Sequence, residues 1–98
     1  MPEMRFQVRL PDGREESCYS PSLVVKELMR EGTSYPVFEF MARARAALTI
    51  GAERVRVKYG FYCSAAHDQL GQLERLTEGL DPDAPIEVLG FQEKPPKT

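Results

Sequence analysis

One long helical stripe constrains the fold of this chain more than any other feature. Between about residues 36 and 59, apolar side chains recur at spacings of three and four, as they do along one face of an α-helix. The stripe consists of Val37, Met41, Ala44, Leu48, Ala52, Val55 and Tyr59, and Gly60 is placed to end the helix. Because such a helix must bury its apolar stripe against another layer, the other segments have to supply that layer.

The segment before the helix predicts an antiparallel hairpin. Met4, Phe6, Val8 and Leu10 alternate with polar residues, which is typical of a strand with one buried face. Residues 11–13 read Pro-Asp-Gly and form the expected turn. A second and more polar strand should cover about residues 14–19, nearer the edge of the sheet. Its side chains at positions 18 and 19 are candidates for the core.

The remaining segments complete an α+β two-layer domain, in which two to three helices cover one face of a small, mostly antiparallel sheet. The pattern predicts a short helix over residues 21–29, a third helix over 64–77 and a final strand over 86–91 that pairs with the first strand. We expect one domain over residues 1–92 and a flexible tail over 93–98. The inward positions of the third helix are Ala66, Leu70, Leu73 and Leu76.

Composition narrows the classes of function. The chain has 98 residues with 13 Lys and Arg against 15 Asp and Glu, which gives a net charge of −2 and a pI near 5.4. This balance argues against a general binder of nucleic acid or of anionic membranes. No run of about 18 apolar residues predicts a membrane span, and the first ten residues do not resemble a signal peptide. We therefore expect a cytoplasmic protein with no membrane partner.

Five cations on the long helix suggest an anion-binding surface, but a structural explanation is favoured. At 100° per residue the cations divide between the two flanks of the apolar stripe, where long charged side chains usually cover the edge of a core. Glu39 is also spaced to pair with Arg43. Nucleic acid is thus a disfavoured partner. The five cations are Arg43, Arg45, Arg54, Arg56 and Lys58.

A second face of the same helix suggests self-association. Ile50 and Val57 lie seven residues apart, away from the main stripe. Gly51 and the alanines at 42, 44, 46 and 47 would allow another helix to approach closely. We therefore predict a homodimer with Ile50 and Val57 in its interface, although two isolated exposed aliphatic side chains would need no special explanation.

Cys18, Cys63 and His67 raise two chemical hypotheses. A metal site with three protein ligands is one, and a Cys63–His67 nucleophilic pair near a helix N-terminus is the other. The spacing matches no zinc pattern, and the sequence specifies neither an orienting partner for His67 nor an oxyanion site. We therefore expect free thiols, and no catalytic residue, metal or cofactor.

Several short blocks are distinctive in combination. They are MPEMRF at residues 1–6, CYSPSLV at 18–24, SYP at 34–36, ALTI at 47–50, AERVR at 52–56, YGF at 59–61, CSAA at 63–66 and QL at 69–70. Together they resemble a small bacterial family of nitrogen starvation response proteins, whose genes lie beside those of nitrilases. The resemblance implies a physiological setting rather than a reaction. The usual family pattern has no histidine at the position of His67.

The matched blocks also contain a candidate pocket. If the end of the second strand, the end of the long helix and the start of the third helix converge, their side chains would suit a small anionic or nitrogenous ligand. Caps and turn packing would explain the same residues. The leading hypothesis is a non-enzymatic accessory protein that acts with nitrilase-cluster proteins; the alternative is a ligand sensor or enzyme using this pocket. Its residues are Cys18, Tyr19, Ser20, Arg54, Arg56, Tyr59 and Cys63.

Overall fold

Four strands and three helices make up the described part of the chain. The computed structural model describes residues 4–20, 23–60 and 64–93. The elements in chain order are β1 (Met4–Arg9), β2 (Glu15–Ser20), α1 (Val25–Leu28), β3 (Ser34–Pro36), α2 (Val37–Tyr59), α3 (Ser64–Thr77) and β4 (Pro85–Glu93).

The sheet has the order β2-β1-β4-β3, and every pairing is antiparallel. β1 and β4 lie in the middle, so the predicted pairing of the last strand with the first is confirmed. The more polar β2 lies at one edge, also as expected. The α+β class is therefore confirmed, with the helices on one face of the sheet.

The β1–β2 turn depends on a glycine. Gly13 has a φ of 94°, a conformation that side chains other than glycine rarely adopt. The backbone N–H of Gly13 donates to the carbonyl of Leu10, and that of Leu10 donates to the carbonyl of Arg14. Asp12 accepts the backbone N–H of Arg14 through its carboxylate, and this hydrogen bond lowers the pKa of Asp12.

The core lies between the sheet and the inner face of α2. Phe6 and Val8 of β1 and Val88 of β4 are fully buried, as is Phe40 of α2. Six of the seven predicted stripe positions are buried, but Tyr59 is 48% exposed and that prediction is wrong. A helix of 23 residues is about 35 Å long, whereas the six residues of β1 span about 20 Å. The last turn of α2 therefore continues beyond the core.

The structure also corrects the prediction for the segment between the hairpin and α2. The helix predicted over residues 21–29 covers only Val25–Leu28, and Pro21 and Ser22 lie outside the described residues. β3 was not predicted, because a three-residue strand ending in proline has too little alternation to detect. It is held on β4 by hydrogen bonds that extend past its ends, from Gly32 N–H to the carbonyl of Val88 and from Val37 N–H to the carbonyl of Ala84.

Two boundary predictions have different outcomes. α3 covers residues 64–77 as predicted, whereas β4 starts one residue earlier than expected and continues to Glu93. Residues 94–98 lie outside the described residues, so the domain end at 92 and the flexible tail stay predictions. Within residues 4–20, 23–60 and 64–93, no helix is long and apolar enough to cross a membrane.

Candidate functional site

The end of β2 contributes buried side chains rather than an open surface. Cys18 and Ser20 are buried, and they project from the same face of the strand because side chains alternate along it. Tyr19, between them, is half-buried. Cys18 lies opposite Phe6 in the β1–β2 register, so its thiol belongs to the core.

Burial also sets the chemistry of the Cys18 thiol. Loss of hydration raises its pKa from 9.0 to about 12; the charge of Glu16 adds to the rise and that of Arg5 opposes it. Because the thiolate is the nucleophilic form, a thiol with this pKa is inert near neutral pH. Cys18 therefore behaves as a small apolar core residue.

The C-terminal part of α2 presents its predicted site residues to solvent. Arg54, Arg56 and Tyr59 are exposed. Arg56 forms a two-point ion pair with Glu53: Nε lies 3.1 Å from Oε2, and Nη2 also donates to Oε1. This hydrogen bonding lowers the pKa of Glu53 and raises that of Arg56. Lys58 places its ammonium 5.6 Å from the centroid of the Tyr59 ring.

The predicted pocket therefore combines a buried part with an exposed part. Cys18 and Ser20 lie in or beneath the core, whereas the two arginines and Tyr59 lie at the solvent surface. Cys63 lies outside the described residues. A ligand pocket formed by all seven residues stays a prediction.

Gln69 is a residue that sequence reasoning missed. It is buried, and its Oε1 accepts the backbone N–H of Tyr19 at 2.9 Å. This bond satisfies a donor on the outer edge of β2 and joins α3 to the sheet. The signal in the sequence is a polar residue within the inward spacing of α3, between Ala66 and Leu73.

A half-open cleft lies between α2 and α3. Its volume is about 180 Å³. Ala52 and Ala66 are small and lie on the two facing helices, so they leave space where larger side chains would fill it. The lining consists of Leu48, Thr49, Ala52, Glu53, Ala66, His67 and Leu70.

The polar groups of this cleft come from both helices. Thr49 and Glu53 are four residues apart on α2, so they share one side of the helix. His67 faces them from α3 and is exposed. Sequence reasoning discussed His67 only together with the cysteines and gave Thr49 and Glu53 no role in binding a ligand. The only sequence signal for the cleft is the small size of Ala52 and Ala66.

A comparison with known families covers most of this domain. A family model described as nitrogen starvation-induced protein NitG matches residues 5–91. The chain belongs to the NitG family. The match confirms the resemblance that the sequence blocks indicated. No curated protein and no solved structure matches the chain.

The large exposed apolar side chains of this NitG protein lie on one helix. Among the described residues they are Phe38, Ile50, Val57 and Tyr59, all on α2, and Val57 is 73% exposed. Gly51 is buried, as are the alanines at 44 and 47, so these three pack inside the molecule instead of facing a second helix. Of the four alanines, only those at 42 and 46 keep an exposed or partly exposed surface.

The cations of α2 are engaged to different extents. Arg43 donates from Nη1 to the carbonyl of Leu28 at 2.7 Å, and its Nε bonds Glu39 at 3.0 Å. Its guanidinium also lies 4.6 Å from the centroid of the Tyr35 ring. Arg43 therefore joins α1, β3 and α2, in keeping with the structural explanation of the cationic cluster. Arg45 is exposed.

The metal hypothesis stays a hypothesis, because Cys63 is one of its three ligands. Within the residues that the structure describes, no three His, Cys, Asp or Glu side chains are close enough to hold a metal ion.

Proposed function

We propose that this member of the NitG family acts in the response to nitrogen starvation as a non-enzymatic binding protein that functions as a homodimer. The observation that carries the proposal is that Ile50 and Val57, two of the large apolar side chains exposed among the described residues, share one side of α2. Exposed apolar side chains that cluster on one face favour a protein interface, whereas scattered ones need no explanation.

The interface is assigned to the outer α2 surface, which consists of Ala46, Ile50 and Val57. At 100° per residue these three positions fall within about 40° of one another, opposite the buried stripe. Ile50 and Val57 are separated by about 10 Å along the helix axis. A second copy of the chain is the occupant that this surface fits, because an antiparallel two-fold arrangement pairs the surface with itself.

The two-fold arrangement fixes which positions meet. With the axis between positions 53 and 54, Ile50 of one copy faces Val57 of the second copy. Glu53 lies beside this axis, and its carboxylate is paired with Arg56 within its own helix, which limits the repulsion between the two copies of Glu53.

The finer part of the proposal concerns the partners of the dimer. The family is nitrogen starvation-induced, and its resemblance to proteins encoded beside nitrilases favours a nitrilase-cluster protein as the partner. The alternative, a sensor or enzyme built around Cys18 and Cys63, has less support, because burial keeps the Cys18 thiol protonated.

Native mass spectrometry and sedimentation equilibrium of the purified chain test the dimer. We expect the wild type to be dimeric and Val57→Glu to dissociate at least tenfold more readily, because an unpaired carboxylate would be buried in the interface. Gln72→Glu adds the same charge at an exposed position of α3 and should leave the dimer intact. A monomeric wild type, or a Val57→Glu variant that dimerises normally, would contradict the proposal.

The partner is tested separately. A tagged chain purified from nitrogen-starved cells should recover a nitrilase, and the tag alone should not. If the nitrilase is absent from the wild-type sample, the accessory role with that enzyme fails, whatever the oligomeric state.

A further inference from the structure

The α2–α3 cleft combines an apolar floor with a polar rim. Its floor consists of Leu48, Ala52, Ala66 and Leu70, and its rim carries the Thr49, Glu53 and His67 side chains. We propose that this cleft binds a small uncharged carboxamide, with the apolar body of the ligand on the floor and its amide group at the rim.

The size of the cleft limits the ligand to about one ring. Its volume of about 180 Å³ is below the range of about 300–1,000 Å³ for sites that hold drug-sized molecules. An apolar cavity of about 150 Å³ in another protein admits benzene. An aromatic ring or a short branched chain therefore fills the floor, and the polar group remains at the opening.

The rim offers hydrogen-bond acceptors and donors side by side. An ionised Glu53 only accepts, the Thr49 hydroxyl both donates and accepts, and an imidazole such as that of His67 can do either. A carboxamide carries two N–H donors and a carbonyl acceptor in one plane. Its NH₂ group therefore suits Glu53, while its carbonyl oxygen suits the hydroxyl of Thr49.

The charges around the cleft favour a neutral ligand. Glu53 is already paired with Arg56, so this part of the rim has no net charge. Next to it, His67 also lines a polar hollow with Asp68 and Arg75, which again carries one acid and one base. A carboxylate ligand would be repelled by Glu53, and an ammonium ligand would have to compete with Arg56 for that carboxylate. An amide avoids both effects.

Titration of the ¹⁵N-labelled chain followed by NMR tests the proposal with three probes of one shape. Benzamide, benzoate and benzylamine share a ring and differ in charge. We expect benzamide to shift the backbone amide signals of Thr49, Ala52, Ala66 and His67, with an affinity at least about fivefold higher than that of either charged probe. Equal or tighter binding of a charged probe, or shifts confined to other residues, would overturn the proposal.

Two variants localise the contact. Thr49→Val removes an exposed hydroxyl without changing the shape of the side chain and should weaken benzamide binding about fivefold, the effect of one neutral hydrogen bond. Thr33→Val makes the same change in the segment before β3, away from the cleft, and should have no effect. Unchanged binding by Thr49→Val would overturn the assignment of the rim.

A third variant fills the cleft. Ala66→Leu places a larger side chain on the floor and should abolish the benzamide shifts. If this variant does not fold, Thr49→Val decides the question alone. The inference is independent of the proposed dimer, since a monomeric Val57→Glu chain should bind benzamide with the affinity of the wild type.

Discussion

On its inner face α2 buries Phe40 and Leu48 against the sheet, whereas on its solvent side it exposes Phe38 and Val57. Phe38 and Phe40 are two residues apart in the same helix, yet they are 57% and 0% exposed. The inner side chains are explained by the monomer, because they remove apolar surface from water and fill the core. The outer side chains remove little apolar surface from water in the monomer, and for Val57 we propose that a second copy of the chain covers it.

The largest expected difference between the two faces is in folding stability. Phe40→Ala should lower the free energy of unfolding by about 3–5 kcal/mol, because it removes a buried ring and leaves a cavity. Phe38→Ala, two residues earlier, should change it by less than about 0.5 kcal/mol. Urea unfolding followed by circular dichroism measures both values. Similar losses for the two variants would mean that Phe38 also belongs to the core.

The inner face is also the part of the molecule that sequence reasoning predicted best. The apolar residues from Val37 to Val55 recur at spacings of three and four, which indicates a helix with one buried face. The neighbouring strands supply the layer that this face needs. Tyr59 departs from the prediction because periodicity records the direction of a side chain around the helix but not where the opposing sheet ends. β3 was missed because its three residues are held by pairing with β4, which lies about fifty residues away in the chain.

The candidate cleft was much harder to predict. It depends on where α2 and α3 lie closest, and Ala52 and Ala66 contribute to it by being small rather than by carrying a chemical group. Sequence reasoning instead selected Cys18 as a site residue, because a thiol can bind a metal or act as a nucleophile. Burial, which sets the pKa of that thiol, depends on packing that no local pattern specifies.

The pH dependence of the free energy of unfolding tests the burial of Cys18, a core side chain that the sheet contributes. The folded Cys18 thiol has a pKa of about 12, raised by burial, against an ordinary value of 9.0. The stabilisation that this shift represents is fully present below pH 9. Between pH 9 and 12 the unfolded thiol ionises first, so stability should fall as pH rises, by up to about 1.4 kcal/mol per pH unit.

Cys18→Ala separates this effect from the other groups that titrate at high pH. The variant should be less stable at pH 8 because it loses buried volume, and its stability should then fall less steeply than that of the wild type between pH 9 and 12. Urea unfolding at four pH values gives the two slopes. Parallel slopes would show that Cys18 ionises as easily in the folded chain as in the unfolded one.

The smallest expected difference concerns two arginines on α2 that sequence reasoning grouped together. Arg43→Gln should lower the free energy of unfolding by about 2 kcal/mol, because it removes a charge-assisted hydrogen bond to the last carbonyl of α1 together with the contact on the Tyr35 ring. Arg45→Gln, at an exposed position, should change it by less than about 0.5 kcal/mol.

Arg43→Lys adds a second test of the same contact. Lysine keeps the charge, but it lacks the planar fork with which Arg43 reaches Glu39 and the carbonyl of Leu28 at once. Its stability should therefore lie between those of the wild type and Arg43→Gln. If Arg43→Lys is as stable as the wild type, charge alone accounts for the role of Arg43. If both Arg43 variants match Arg45→Gln, the cations of α2 act alike, and Arg43 then has no special part in holding α1 and β3 on the helix.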